Sequence, residues 1–550
     1  MTARRLRAPA TDGGLLVDPS GAEARVLAAA NLERLSTWDH DVQGRPAARL
    51  RDLARREIVE LAREFLDRHG LGYPSGTPDL AAGSVPLIVT GHQPELFHPG
   101  VWVKNFAAAG LARSCGGLAL NLIVDNDIPK DSSIRVPTAR DGPLRTTPVE
   151  FDEWQGEIPY EDWNVGDEAM FASFPDRVHD VLGGAVADPI LDDFWPRAMR
   201  RRGDSAAVGL RFSLARREVE ASWGVANLEL PLGRLCETES FLWFASHLIA
   251  QLPRYQAVHN ACLAQYRVDH RIRSRHHPVA ALTRSDDWLE APFWVWRAAE
   301  PRRRALLARQ HGRVVDLRIA GEGQTLISLP LTPDGEACCA VERLRDLAAG
   351  SIRLRTRALT TTMFARFFLG DLFIHGIGGA KYDELGDEIS RRFFGIEPPG
   401  FLAMSLSLWL DLPNPSVTRG DLGQVDRILH DLTFNPDRHL HEPYPESLRN
   451  YINGKREAVA GPTTSRRERI ARALAIRRLN DAMQPWVAEM RAELKARRRV
   501  VRAGIRSSRI ARSREFASVL HSGHRLQHVL IGVAEAMAAG VGSNRANPGG

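Results

Sequence analysis

Hydrophobic and polar positions follow two rhythms along this chain. Between Ala22 and Arg68, Leu53, Ile58, Leu61, Phe65 and Leu66 fall mostly three or four residues apart, with Arg and Glu between them. That spacing predicts helix. Gly70, Gly72, Pro74 and Gly76 close the stretch, and residues 1–20 before it read as a loose arm. The rhythm then changes. Val85-Pro-Leu-Ile-Val-Thr90 is a continuous apolar run, as expected of a parallel strand covered on both faces. Gly91 breaks it, a helical stretch follows over 101–113, and Leu118–Val124 repeats the strand pattern. Strand, loop, helix and strand within about 40 residues make a βαβ unit, which carries ligands at the carboxyl ends of its strands.

The same reading predicts helix from Thr238 to Tyr266 and from Leu359 to Leu372, and strands at Asp287–Trp296 and Val314–Arg318. Phe373–Gly379 is a glycine-rich turn leading into a helix that runs through Phe394. Over 464–514, Ile470, Leu474, Met483, Val487, Met490 and Leu494 form an apolar seam among arginines, and Pro485 should kink it. The tail from about Ala538 is small and Gly-rich, and is expected to fray.

Composition narrows the classes. The chain has 550 residues, 44 % hydrophobic and 25 % charged, which excludes a disordered chain, a collagen-like repeat and a disulfide scaffold. A net charge of +6 over this length is no argument for nucleic acid. Five scattered cysteines without a C-x-x-C pair suggest reduced thiols and no cysteine-built metal site. No apolar run reaches the roughly 18 residues of a membrane span. A cytoplasmic protein acting on a small molecule, with no nucleic-acid or membrane partner, is the expectation.

Three motifs carry candidate chemistry. In Thr90-Gly91-His92-Gln93-Pro94 with Lys104 downstream, Gly91 permits close backbone approach, His92 can transfer a proton, and Lys104 can neutralise an anion. A plain strand-to-helix turn would read the same way. Asp125-Asn126-Asp127 closes the second strand. Its carboxylates can orient an amine or act as base, or serve an Asx-turn or cap. His375-Gly376-Ile377-Gly378-Gly379-Ala380-Lys381-Tyr382 opens the backbone ahead of a helix, where amides could hold phosphate or carboxylate, or simply pack. His270, His276 and His277 lie among arginines, and Arg302–Arg304 form a basic run. Both read as solvated surface, and Trp288, Trp294 and Trp296 as packing residues.

Taken in order, these stretches resemble the BshC family, the cysteine-adding enzymes of bacillithiol biosynthesis. The family's T-G-Q-Q-x-G-L-x-x-G-P is similar to Thr90-Gly91-His92-Gln93, Leu96-Phe97 and Pro99-Gly100. Its acidic E-D-H-D cluster is similar to Val124–Asp127, and its Y-I-G-G-P-x-E-I-x-Y to Ile377–Tyr382. Arg357-Ala-Leu-Thr resembles the R-P-L ahead of that pattern, and Ser522–Gln527 the family's N-G-x-L-Q ending. The chain departs from the pattern at His92, Glu95, Asn126, Ala380 and Lys381. A shorter likeness, over about forty residues, joins the His92-Gln93-Pro94 region to WbqC-like proteins of surface-sugar assembly.

The BshC resemblance implies an α/β fold: a Rossmann-like parallel-sheet core with a nucleotidyltransferase-like cleft, plus a C-terminal helical, coiled-coil-like arm pairing subunits into a homodimer. The expected organisation is a helical lead-in over 1–84, a core over 85–413, the arm over 414–515 and a returning segment over 516–550. It implies a ligase forming a C–N bond between an amino acid, cysteine in the family, and an amino-sugar conjugate, with ATP or ADP as cofactor and no assigned metal. His92, Asp125 and Asp127 are the catalytic candidates. Gly91, Gln93, Lys104, Asn126, His375, Gly376, Gly378, Gly379, Lys381 and Tyr382 are the binding candidates. A non-catalytic protein that keeps the cleft is the alternative.

Overall fold

The computed structural model describes residues 6–73, 85–139 and 142–540. Pro74, Gly76 and the tail beyond 540, where breakers and fraying were expected, lie outside the described residues. The strands are β1 (Gly14–Asp18), β2 (Leu87–His92), β3 (Leu118–Ile123), β4 (Ser133–Thr138), β5 (Arg145–Glu150), β6 (Leu228–Pro231), β7 (Arg284–Ser285), β8 (Trp288–Arg297), β9 (Glu300–His311), β10 (Val314–Ile319), β11 (Ile327–Pro330), β12 (Ile352–Thr356), β13 (Leu372–His375) and β14 (Phe401–Ser407). The chain divides into two units. One holds 1–136, 148–410 and 514–550; the other holds 137–147 and 411–513.

The larger unit is α/β. Its first sheet runs β1-β14-β13-β2-β3-β6, all parallel except β1. β2 and β3 are buried along almost their whole length and largely apolar, as parallel sheets covered on both faces require. From β2 the chain steps outward to β3, whereas from β13 it steps the other way to β14. The direction of winding therefore reverses between β2 and β13, the place where open parallel sheets leave a crevice at their carboxyl ends. The second sheet, β11-β10-β9-β8-β12 with β7 on β8, is antiparallel.

Three expectations change. The loose arm contains β1, which pairs antiparallel along the edge of the first sheet from Gly14 opposite Ser407 to Asp18 opposite Ala403. The helical stretch 22–68 is two helices, Gly21–Ser36 and Ala47–Arg68, the second buried on its Leu50, Ala54, Ile58 and Phe65 face. The stretch 359–372 is a helix, Ala358–Phe364, that widens into a π turn at Ala365–Leu369 before β13 begins. Elsewhere the helix Pro99–Cys115 packs against Gly523–Ala538. Gly110 makes that approach possible, since a Cβ there would stand 2.1 Å from the Ala534 carbonyl oxygen.

The smaller unit is helical over Arg419–Phe434, Glu446–Ala460, Arg466–Met483 and Ala488–Ala511. Pro485 lies in a 3-10 turn, Gln484–Val487, that separates the last two helices. Leu448, Ile452 and Met483 form a small core, while Ile470 and Leu474 of the seam are 54 % and 51 % exposed.

His247 is a core group that should make the larger unit acid-sensitive. His247 is buried against Phe393, Phe394 and His40, and neither ring nitrogen has a hydrogen-bond partner among the described residues. Burial, aided by His40 and Arg254 and opposed by Asp41, pushes its pKa down to about 4. The unfolded chain titrates near 6.5, so between these values it binds the extra proton and acid favours unfolding. The linkage is worth about 3 kcal/mol, present in full above pH 6.5 and lost as pH falls toward 4. His247→Phe should therefore lose less stability than wild type when the urea midpoint is compared at pH 7.5 and 4.5. Equal losses would remove His247 from the acid response.

Candidate functional site at the carboxyl ends of the first sheet

β2 ends in Gly91 and His92, and β3 runs beside it with His92 opposite Ile123. His92 does not face open space. Its ring lies edge-on to Phe97 at 4.4 Å, with Nδ1 3.1 Å from the Gln93 carbonyl and Nε2 3.3 Å from Asn105 Oδ1. Burial, then Lys104 and Arg216, hold its pKa well below the ordinary range, so the imidazole is neutral.

Lys104 is 5 % exposed and reaches across the sheet end to donate to the Gly91 carbonyl at 2.9 Å. Burial pushes its pKa down to about 8. No ion pair to Lys104 occurs among the described residues. Because Ile374 pairs with Thr90, His375 lies beside Gly91 on the neighbouring strand. Lys104 thus stands at the crevice where the winding reverses.

His375 itself is committed to the core. Its Nε2 is 2.8 Å from Asp383, which also takes Arg366 at 2.7 Å and the Thr362 hydroxyl at 2.7 Å. Burial alone would raise the Asp383 pKa, but His375 and Arg366 outweigh it and hold the carboxylate well below its usual range. The glycines after it differ in purpose. At Gly379 a Cβ would meet His375 Nδ1 at 2.8 Å, so packing demands glycine. At Gly376, with an ordinary φ of −74°, and at Gly378, a Cβ would meet nothing within 4 Å. Their open space lies at the N-terminus of the helix Ile377–Phe394. Lys381 is exposed, its carbonyl accepting the Tyr266 hydroxyl at 3.0 Å, and Tyr382 is half-buried near the His277 ring.

The loop after β3 sends its three polar residues in different directions. Asp125 accepts the Gly233 N–H at 2.8 Å, and the Glu161 N–H donates to the Asp125 carbonyl at 2.8 Å. Glu161 is in turn held by Arg355 through two bonds at 2.9 and 2.8 Å. Burial, then Glu161, raise the Asp125 pKa to about 8. Asn126 donates to the Thr356 carbonyl at 2.9 Å. Asp127 is gripped from two sides. Gln93 Nε2 donates to Oδ2 at 2.9 Å, and Arg303 of β9 donates to Oδ1 at 2.9 Å.

Asp127 opens on a cavity of about 320 Å³ whose wall includes Gln93, Asn126, His259, Trp294, Arg303 and Arg357. Arg357 lies 4.0 Å from the centre of the Trp294 ring and Arg303 5.1 Å from it. Arg357 is paired with Glu290 at 2.7 Å. The cavity thus presents one carboxylate and two guanidinium groups, each already neutralised once. The rest of the wall is largely apolar, including Val279, Leu282, Pro292 and Leu359, so the charge is confined to these groups. His92, Asp125 and His375 do not line it.

Arg303, expected on a solvated face, and Trp294, expected only to pack, both line this cavity, as does Arg357 of the R-P-L-like stretch. The signal for Arg303 was strand alternation, which puts it on the opposite face from Arg302 and Arg304. Among the described residues no group of three or more His, Cys, Asp or Glu could hold a metal ion, and no helix is long and apolar enough to cross a membrane. No protein-family model and no curated protein sequence matches this chain significantly.

Proposed function

We propose that the protein is a carbon–nitrogen ligase of the BshC type, joining an amino acid to an amino-sugar conjugate on a Rossmann-like core with a nucleotidyltransferase-like cleft. The observation that carries this reading is Asp127. Its carboxylate is held by Gln93 and Arg303 at the mouth of a 320 Å³ cavity at the strand ends. A carboxylate pinned in this way can accept the ammonium of a ligand and take a proton from the amine as it attacks. Arg303 and Arg357 supply charge for an acidic group on the same ligand.

ATP or ADP is the cofactor this reading takes, and two features near the strand ends support it. Gly376 and Gly378 leave space at a helix N-terminus, and Lys104 is a buried ammonium without an ion-pair partner among the described residues. A nucleotide bound there would supply the activation that amide formation needs. His92, sealed against Asn105 and Phe97, is a positioning residue for Gln93, and Asp125 supports the loop from the Gly233 side. The exposed Ile470, Leu474, Trp486 and Met490 of the helical unit support assembly as a homodimer.

One observation favours the binding-only alternative: two of the three expected catalytic side chains lie outside the cavity. Untargeted mass spectrometry of metabolites that co-purify with the protein tests the substrate class common to both readings. An amine-bearing sugar conjugate is expected with wild type and missing from Asp127→Ala. A recovered ligand with neither amine nor sugar would overturn the assignment.

A further inference from the structure

Cys338 and Cys339 open the helix Cys338–Ala349 of the larger unit, both exposed, with their sulfurs 3.7 Å apart. The other cysteines differ. Cys236 and Cys262 are buried, the Cys236 thiol being pushed up to about 12 by burial, and Cys115 is half-buried with no second cysteine beside it. We propose that Cys338 and Cys339 form a dithiol site for a trivalent arsenical or a like pyramidal, thiophilic metalloid.

Two alternatives for the pair are disfavoured by geometry. Adjacent Cα atoms stand about 3.8 Å apart across a trans peptide, below the roughly 4.4–6.8 Å that a disulfide takes. A disulfide would therefore distort the first helical turn. A linear two-coordinate ion would need the sulfurs on opposite sides of it, farther apart than 3.7 Å. A pyramidal centre takes both sulfurs on one side, and soft thiolate ligands select such centres. The contact with Cys338 also raises the pKa of Cys339.

The chemistry balances without a redox partner. An organoarsenic(III) oxide loses its As–O bonds and forms two As–S bonds. The two thiol protons leave with the oxide oxygen as one water. Arsenic stays trivalent, and neither sulfur is oxidised.

The test is intact-protein mass spectrometry after treatment of the full chain with phenylarsine oxide. Wild type should take up one adduct, at the mass of the reagent less one water. It should survive excess 2-mercaptoethanol and be released by 2,3-dimercaptopropanol. Cys338→Ser and Cys339→Ser should each lose it, whereas Cys115→Ser should keep it. An adduct retained by either serine variant at 338 or 339, removal by the monothiol, or no adduct at all would overturn the proposal. So would loss of two hydrogens in place of an adduct, since that is the disulfide.

Discussion

Asp371→Asn should cost the larger unit several kcal/mol and move its denaturation midpoint far down. Asp371 sits just before β13 with a side chain 0 % exposed. Its carboxylate holds Arg51 on one oxygen, and on the other Arg55 at 2.9 Å and the Leu87 N–H at 2.7 Å. Arg51 and Arg55 come from the helix Ala47–Arg68, and Leu87 is the first residue of β2. One carboxylate therefore ties that helix to the start of both central strands. Burial has already pushed the Arg51 pKa down to about 10, with Asp371 restoring part of it.

Removing the charge leaves two buried guanidinium groups uncompensated, and breaking one side of such a network costs about 3–5 kcal/mol. The asparagine amide must also turn a donor toward either an arginine or the Leu87 N–H. Urea denaturation followed by tryptophan fluorescence measures the loss. Arg51→Met with Arg55→Met in the Asp371→Asn background should recover part of it, because an apolar core tolerates what an unpaired charge does not. A midpoint within error of wild type would mean the network does not anchor the sheet.

What could be read from the amino-acid order follows the reach of the forces involved. β2 and β3 open on apolar runs because both faces are covered, and that pattern is local. The helix Pro99–Cys115 and the break at Pro485 are local too. β1 was missed because five residues flanked by glycine and proline carry little periodicity, and only pairing with β14, nearly 400 residues away, makes them a strand. β9 was missed because its arginines looked like a surface run.

The site divides in the same way. Gln93, Asn126 and Asp127 follow directly from strand ends, and they line the cavity. The burial of His92 depends on Asn105, thirteen residues on, and the turning of Asp125 depends on Gly233, more than a hundred residues on. Neither partner is signalled by the motif. Arg303 reaches Asp127 only because the second sheet lies against the strand ends.

Asp127→Asn should lower ligase turnover by roughly the 10²–10⁴-fold typical of losing a general base. Stability should hardly change. Asp127 is 33 % exposed, so the donor that an asparagine must turn toward Gln93 or Arg303 can be hydrated. The Asp125→Asn variant separates the two carboxylates, since Asp125 bonds Gly233 outside the cavity and its loss should fall on folding before turnover. The decisive measurement is product formation. Wild type and Asp127→Asn are incubated with cysteine, an amino-sugar conjugate and ATP, and the mixture is read by mass spectrometry. The predicted result is a product at the summed mass of the two reactants less one water, made by wild type and suppressed at least a hundredfold in Asp127→Asn. No product from wild type, or equal product from both, would contradict the assignment of Asp127 as the base of a carbon–nitrogen ligase.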